Sequence, residues 1–263
     1  MAEDSTQQNI LVEQRRQEIL NLFKQSNTVS TDSLVKRFQV SQMTIWRDLK
    51  ALEERGIIRR IHGGATLLNV TEEPIVTRKQ TVNRQAKERI ASYAARHFVA
   101  DNHIIIMEAG TTVMAMSRYL THQNLTIITN GLGTLNALTS HVSNSHVMCC
   151  GGMLRDVSLT FVGPQAEQFF TSVRAHTLFL SGTGLTISHG LCDPNPLEIQ
   201  IKQAMARSAQ RIILLLDSSK FGAHSLQRIL PISQIDALIT EAPPSEEYVN
   251  WLNRERVKLF IAD

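Results

Sequence analysis

Residues 40–64 read VSQMTIWRDLKALEERGIIRRIHGG, and the rest of the chain is understood from this stretch. Between Gln42 and Glu54 the apolar residues Ile45, Leu49 and Leu52 recur at spacings of four and three, which puts them on one stripe of a helix. That stripe is the packed face. At about 100° per residue, Met43, Arg47 and Lys50 point away from it, with Gln42 and Trp46 on the flank. Ser41 is a favourable N-cap for this helix and Gly56 a favourable stop. Ile57, Ile58 and Ile61, interleaved with Arg59 and Arg60, then read as a short strand pair turning at Gly63-Gly64. Upstream, Gln14 to Lys24 should be helical with Ile19, Leu20 and Phe23 inward. Ser30 or Thr31 should cap a short helix carrying Leu34, Val35 and Phe38, and Gln39-Val40-Ser41 should be the tight turn. This order is that of a winged helix-turn-helix.

A helix delivered in that way enters the major groove of DNA with its first turns against base edges, while basic residues of the wing meet phosphate. The residues expected on this surface are Ser41, Gln42, Met43, Thr44, Trp46, Arg47, Lys50, Arg59, Arg60 and His62. A net charge of +3 is compatible with a nucleic-acid partner but does not establish one. The clustering of the basic side chains says more than their sum.

With 263 residues the chain has room for this small domain and a medium-sized second one. The expected organisation is a disordered tail over 1–13, the winged helix-turn-helix over 14–68, a linker over 69–85 and an α/β domain over 86–263. A composition of 43% hydrophobic and 19% charged residues is that of an ordinary globular protein. No apolar run approaches the roughly 18 residues that span a bilayer, and the polar first residues lack a signal peptide's apolar core, so a cytoplasmic protein without a membrane partner is expected. Cys149, Cys150 and Cys192 have no CxxC or Cys/His ligand spacing and read as buried thiols, with no metal and no cofactor expected.

Beyond residue 86, short apolar runs alternate with helical stretches, which is α/β order. The strands fall near His103–Met107, Leu125–Thr129, His146–Cys150, Thr177–Ser181, Arg211–Leu216, Ala237–Thr240 and Val257–Ile261. They lack polar alternation, so a mostly parallel sheet with helices on both faces is expected. A last helix near Ser245 to Arg254 should lay Tyr248, Trp251 and Leu252 on the sheet. Ligands of such sheets gather outside the carboxyl ends of the strands. The residues there are Gly110-Thr111-Thr112, Thr129-Asn130, Gly151-Gly152, Gly182 and Lys220. A glycine and two hydroxyls opening a helix suit a phosphate, and Lys220 stands where its charge would be neutralised. Glu198 and Lys202, four apart on a helix, are spaced to pair on its surface.

The run Val40, Ser41, Thr44, Ile45, Arg47, Asp48, Leu49, Leu52, Glu53, Gly56, Ile58, Arg60, His62, Gly63, Gly64, Ala65 resembles the DeoR family of bacterial transcriptional regulators. The later motifs GTT at 110–112, TN at 129–130, GG at 151–152, DSSKFG at 217–222 and IDALIT at 235–240 resemble that family's effector domain, which is similar in fold to ribose-5-phosphate isomerase. The resemblance implies a repressor of a sugar-catabolism operon that leaves double-stranded operator DNA when a phosphorylated sugar binds. It also implies a homodimer or higher homo-oligomer, and places Arg78, Asn83 and Lys87 at the second domain's entrance and Lys202 in its effector cleft. This chain departs from the family at Trp46, where a second arginine is usual. It departs also at Glu108, for a common aspartate, and at Gly184-Leu185-Thr186, for the usual glycine, isoleucine, aspartate.

The alternative reading is an isomerase with a DNA-binding attachment. Sugar isomerisation needs a positioned base beside the phosphate site; Thr186 weakens the best candidate, and Glu108, the other carboxylate that could serve, precedes the phosphate loop, where it would orient that loop. The chain contains no GxGxxG, no GxSxG and no GxxxxGK followed by Ser or Thr, so no catalytic residues are expected.

Overall fold

The apolar stripe of residues 42–54 is covered as its spacing requires. The computed structural model describes residues 2–25, 28–54, 58–67, 75–142 and 144–263, and the chain divides into two compact units, Met1–Asn69 and Val70–Asp263. The first contains α1 (Ala2–Gln25), β1 (Thr28–Ser30), α2 (Thr31–Phe38), α3 (Gln42–Glu54), β2 (Ile58–Ile61) and β3 (Gly64–Leu67). Ser30, rather than Thr31, caps α2 by accepting from the Ser33 N–H at 3.2 Å. Gln39 ends that helix in a left-handed conformation, and Ser41 Oγ then accepts from the Thr44 N–H at 3.2 Å to open α3. Ile45, Leu49 and Leu52 meet Ile19 and Phe23 of α1, Leu34 of α2, and Ile58 and Ala65 of the strands.

The three strands form an antiparallel sheet in the order β1-β3-β2. Gly64 lets β3 approach β1, since a Cβ there would lie 2.3 Å from the Val29 carbonyl oxygen. Asp48 contributes a contact that no periodicity announces. Its carboxylate is 1% exposed on α3 and accepts from Arg15 Nε at 2.6 Å and Arg16 Nε at 3.0 Å. The helix that carries the exposed basic residues is thereby tied to α1 by charge as well as by packing.

The segment 2–13, where a disordered tail is expected, is drawn into α1, which begins at Ala2. The linker expected over 69–85 contains α4 (Val76–Thr81), whose Val76 is buried and donates its N–H to the Val157 carbonyl at 2.9 Å, so that part belongs to the second unit. Gly56 and Glu72-Glu73-Pro74 lie outside the described residues.

The second unit continues with α5 (Arg84–Phe98), β4 (Ile104–Met107), α6 (Thr111–Ala115), β5 (Thr126–Thr129), α7 (Leu132–His141), β6 (His146–Cys149), β7 (Met153–Arg155), β8 (Thr160–Val162) and α8 (Pro164–Thr171). There follow β9 (Ala175–Leu180), β10 (Gly184–Thr186), β11 (Gly190–Asp193), α9 (Pro196–Ser208), β12 (Ala209–Leu215), β13 (Gln227–Leu230), β14 (Ala237–Thr240), α10 (Glu246–Arg254) and β15 (Lys258–Ile261). Seven of these strands form one parallel sheet in the order β15-β14-β12-β9-β4-β5-β6. They are the seven expected strands.

Both faces of this sheet are covered, which is why its strands read as unbroken apolar runs. Ile106, Leu178, Leu214 and Leu238 point to one face, with Phe170 of α8, Ile201 and Met205 of α9, and Trp251 and Leu252 of α10. Ile105, Phe179, Ile213 and Ile239 point to the other, with Ile90 and Ala94 of α5. Two additions were not expected: the antiparallel pair β7–β8 and the antiparallel sheet β10-β11-β13. With three or four residues each, these strands are too short to display a period.

Replacing Asp48 by alanine leaves Arg15 and Arg16 crowded without their shared acceptor, and should cost the first unit about 3 kcal/mol. Urea unfolding followed through Trp46 fluorescence in a Trp251→Phe background measures this directly. A change below about 0.5 kcal/mol would show that the clamp contributes nothing.

Candidate functional site

Several strands of the large sheet end beside a network of buried charge. Lys202 on α9 donates to the Asp193 carboxylate at the end of β11 and to the Ser181 carbonyl at 3.2 Å, and lies 3.2 Å from Glu108 Oε1 just after β4. Thr183 Oγ1 donates to Asp193 at 2.8 Å. Burial alone would lower the Lys202 ammonium, yet Asp193, Glu108 and Glu198 hold it above its ordinary value. Burial likewise acts to raise the Asp193 carboxyl, but Lys202, with Lys79 and Thr183, brings it below the usual range. Glu108 is pushed up, mainly by burial. One ammonium between two carboxylates thus favours the ionised form of Asp193, while burial favours the protonated form of Glu108.

The expected surface pair Glu198–Lys202 is corrected here. Both side chains are buried, and Glu198 instead accepts from Arg155 Nη1 at 2.5 Å, from Ser158 Oγ at 2.8 Å and from the Thr160 hydroxyl. It fastens the β7–β8 pair to α9, while Lys202 fastens the strand ends.

A second group of charges lies where α4, α5 and the turn after β12 meet. Lys87 is buried on α5 and donates to the Lys79 carbonyl of α4. Burial lowers its pKa to about 8; Asp217 opposes this, while Lys220 and Lys79 add to it. Asn83 Nδ2 donates to Asp217 Oδ1 at 2.8 Å and to Ser219 Oγ at 3.0 Å, joining the entry of α5 to the same turn. Lys220 is half-buried. Lys79 and Lys220, from two other elements, therefore both act on Lys87, with Asp217 opposing them. Of these lysines Lys87 also lines a cleft of about 220 Å³, together with Thr111, Arg84, Arg118 and Glu88 among others.

Of the residues expected to bind a ligand, Lys220 and Thr111 border this region, while most others hold the scaffold. The Gly110 N–H is not open to a phosphate, because it donates to Glu108 Oε2 at 2.9 Å. Thr112 is buried, and the helix that follows Gly110 has five residues. Thr129 Oγ1 accepts from the Gly131 N–H at 3.0 Å, and Asn130 Oδ1 accepts from the Ala109 N–H at 3.1 Å. Both are buried and stitch neighbouring strand ends together. A Cβ on Gly182 would lie 2.6 Å from Leu191 Cδ1 and one on Gly152 would lie 2.8 Å from the Val162 carbonyl oxygen, so these glycines serve close packing. Gly151 has a φ of +67° and open space around it. Lys79, Asp193 and Asp217 were not among the expected residues. Asp217 carried one signal, an Asp-Ser-Ser run that caps a turn.

On the first unit, Gln42, Met43, Trp46, Arg47 and Lys50 of α3 are exposed, as are Arg59 and His62. Ser41 and Thr44 spend their hydroxyls on each other, at 2.9 Å. Arg60 differs from its neighbour Arg59. Its Nε lies 2.6 Å from Glu53 Oε2, its N–H donates to Glu53 Oε1 at 3.1 Å, and its guanidinium lies 4.7 Å from the centroid of the Trp46 ring. The indole therefore leans on the wing while remaining 47% exposed.

Among the described residues no group of three or more His, Cys, Asp or Glu side chains is placed to hold a metal ion. Cys150 and Cys192 are buried as expected, whereas Cys149 is half-exposed, with its thiol lowered to about 6 chiefly by a hydrogen bond from Cys150.

Lys202→Met should destabilise the protein by about 3–5 kcal/mol at pH 7, since it leaves two buried carboxylates facing each other. Without the ammonium both carboxyls shift upward, so the folded state binds more protons than the unfolded one and stability falls as pH rises above about 4.5. Thermal unfolding from pH 5 to 8 should show the deficit shrinking toward pH 5. A deficit that stays constant across that range would remove Lys202 from its stated role.

Residues 15–71 match the model of a DeoR-like helix-turn-helix domain, and residues 82–242 match that of a DeoR C terminal sensor domain. The chain is 35% identical over 250 residues to the HTH-type transcriptional regulator GolR of Listeria innocua, covering 94% of each protein. It is 31% identical over 249 residues to the glycerol-3-phosphate regulon repressor of Escherichia coli, covering 94% of this chain and 98% of that one. Among solved structures, a ribose 5-phosphate isomerase from Plasmodium falciparum aligns with 51% of this chain and 52% of its own, at 13% identity and a TM-score of 0.37. The two matching models cover the winged unit and most of the α/β unit in one continuous chain, and the chain belongs to the DeoR family of transcriptional regulators.

Proposed function

We propose that this regulator is a repressor of sugar-catabolism genes whose hold on operator DNA is relieved by a phosphorylated sugar bound near Lys79, Lys87 and Lys220. The observation that carries the reading is the lowered Lys87 ammonium, a desolvated charge repelled by two other lysines. A dianion placed there relieves the repulsion and gains charge-assisted contacts. The relative named for glycerol-3-phosphate supports the same ligand class. Lys202 lies outside the proposed contact set, because its ammonium is already enclosed by Asp193 and Glu108. Thr111 and Lys220 stay in it.

On the other unit, Gln42, Arg47 and Lys50 face base edges and phosphate from the helix, and Arg59 and His62 face phosphate from the wing. Their exposure beside a packed apolar stripe supports this. The protein works as a two-fold assembly, because one recognition helix offers too little contact for specific binding. It acts in the cytoplasm; no described helix is long and apolar enough to cross a membrane. Sensing is favoured over isomerase chemistry because Glu108, the carboxylate nearest the strand ends, is buried with its oxygens engaged by Lys202 and the Gly110 N–H.

Binding of glycerol 3-phosphate or a pentose or hexose phosphate should raise the Lys87 pKa, so the complex takes up a proton near pH 8 and affinity falls as pH rises above 8. Calorimetry in two buffers of different ionisation enthalpy reads that uptake. Lys220→Ala should lower the affinity roughly ten- to hundredfold. Binding without proton uptake and indifferent to Lys220 would place the ligand elsewhere.

A further inference from the structure

The outward face of α3 carries a feature that charge alone does not explain. Met43 is 59% exposed and Trp46 is 47% exposed, and at a spacing of three they are neighbours on the helix surface. Large apolar side chains so placed face a partner or stay wet. Trp46 is also held in place. Glu53 fixes Arg60 through two contacts, at 2.6 Å and 3.1 Å, and Arg60 lies 4.7 Å from the indole centroid. Lys50 Nζ approaches the same ring at 5.8 Å. Stacking with these cations orients the ring before any partner arrives, so less side-chain freedom is lost on binding. The exposed basic residues Arg47 and Arg59 on the same helix and wing suit an anionic partner.

Duplex DNA offers one apolar group in its major groove, the thymine C5-methyl. We infer that Met43 and Trp46 form an apolar plate that reads thymine methyl groups, making them specificity-determining residues of the operator contact. The inference rests on the proposed operator-binding surface. Glu53 and Arg60 are positioning residues for the plate, with Arg60 directed to the indole and to Glu53 instead of to phosphate. Sequence choice then comes partly from apolar contact, and operator half-sites should carry A·T pairs where the first two turns of α3 lie.

The test begins by selecting operators for the full-length protein from a random duplex library, then resynthesising the best duplex with deoxyuridine in place of every thymidine. This removes only methyl groups. The wild-type protein should bind the uracil duplex more weakly, by roughly fourfold for each methyl group that the plate covers. Met43→Ala and Trp46→Ala should each bind the thymine operator more weakly and discriminate less between the two duplexes, while Glu53→Ala should reduce the discrimination through the loosened indole. Equal binding of the two duplexes by wild type would overturn the inference while leaving operator binding intact. So would full discrimination surviving in both alanine variants. If no sequence is enriched at all, the operator-binding reading itself fails and takes this inference with it.

Discussion

One buried ammonium holds the second unit together where its function is expected. Lys202 joins α9 to the segments after β4 and β9 and to the end of β11 through Glu108, Ser181 and Asp193. A parallel sheet leaves unpaired polar groups at its strand ends, and burying a charge there is tolerable only when partners surround it. Here the partners come from segments far apart in sequence, so the ion cluster forms only when β4, β9, β11 and α9 have come together. The Glu198 cluster repeats the device one helical turn earlier and brings β7–β8 under the same control. Asp48 plays the corresponding part in the first unit, where two arginines of α1 converge on it.

This arrangement separates charges that build from charges that are available. Lys202, Glu198, Asp193 and Asp48 are buried and engaged by partners. Lys87 stands differently, desolvated and set against two other lysines with Asp217 as its main opposing charge. Such a group stores unfavourable energy that an anion can release. The proposed anion site is carried by α4, α5 and the turn after β12. Since α4 begins the described part of the second unit, a change in its seating is placed close in sequence to the DNA-binding unit.

Much of the fold was legible in the sequence because periodicity is local. The stripe Ile45, Leu49, Leu52 and the seven apolar runs each announce which faces are covered. The strands β7, β8, β10, β11 and β13 were not legible, since three or four residues contain no period and their pairing depends on which segments the sheet brings near. Candidate site residues fared less well for a related reason. Glycines and hydroxyls at strand ends suggest a ligand, but Gly152, Gly182, Thr129 and Asn130 are needed to let neighbouring strand ends approach and bond. Arg60 was within reach of sequence reasoning. Strand alternation puts it on the same side as the buried Ile58, opposite Arg59, which separates a positioning arginine from an exposed one.

In the proposed mechanism, anion binding among the three lysines changes the affinity of the winged unit for DNA. An effector can do so only through different affinities for the two states of the protein, and the coupling is reciprocal. The most direct measurement is operator affinity with and without saturating sugar phosphate, at matched ionic strength so that counterion effects on DNA binding cancel. The expected result is a loss of at least fivefold with the phosphorylated sugar and none with the unphosphorylated one, in line with usual coupling energies. Operator affinity that is unchanged by every sugar phosphate that binds the protein would contradict it.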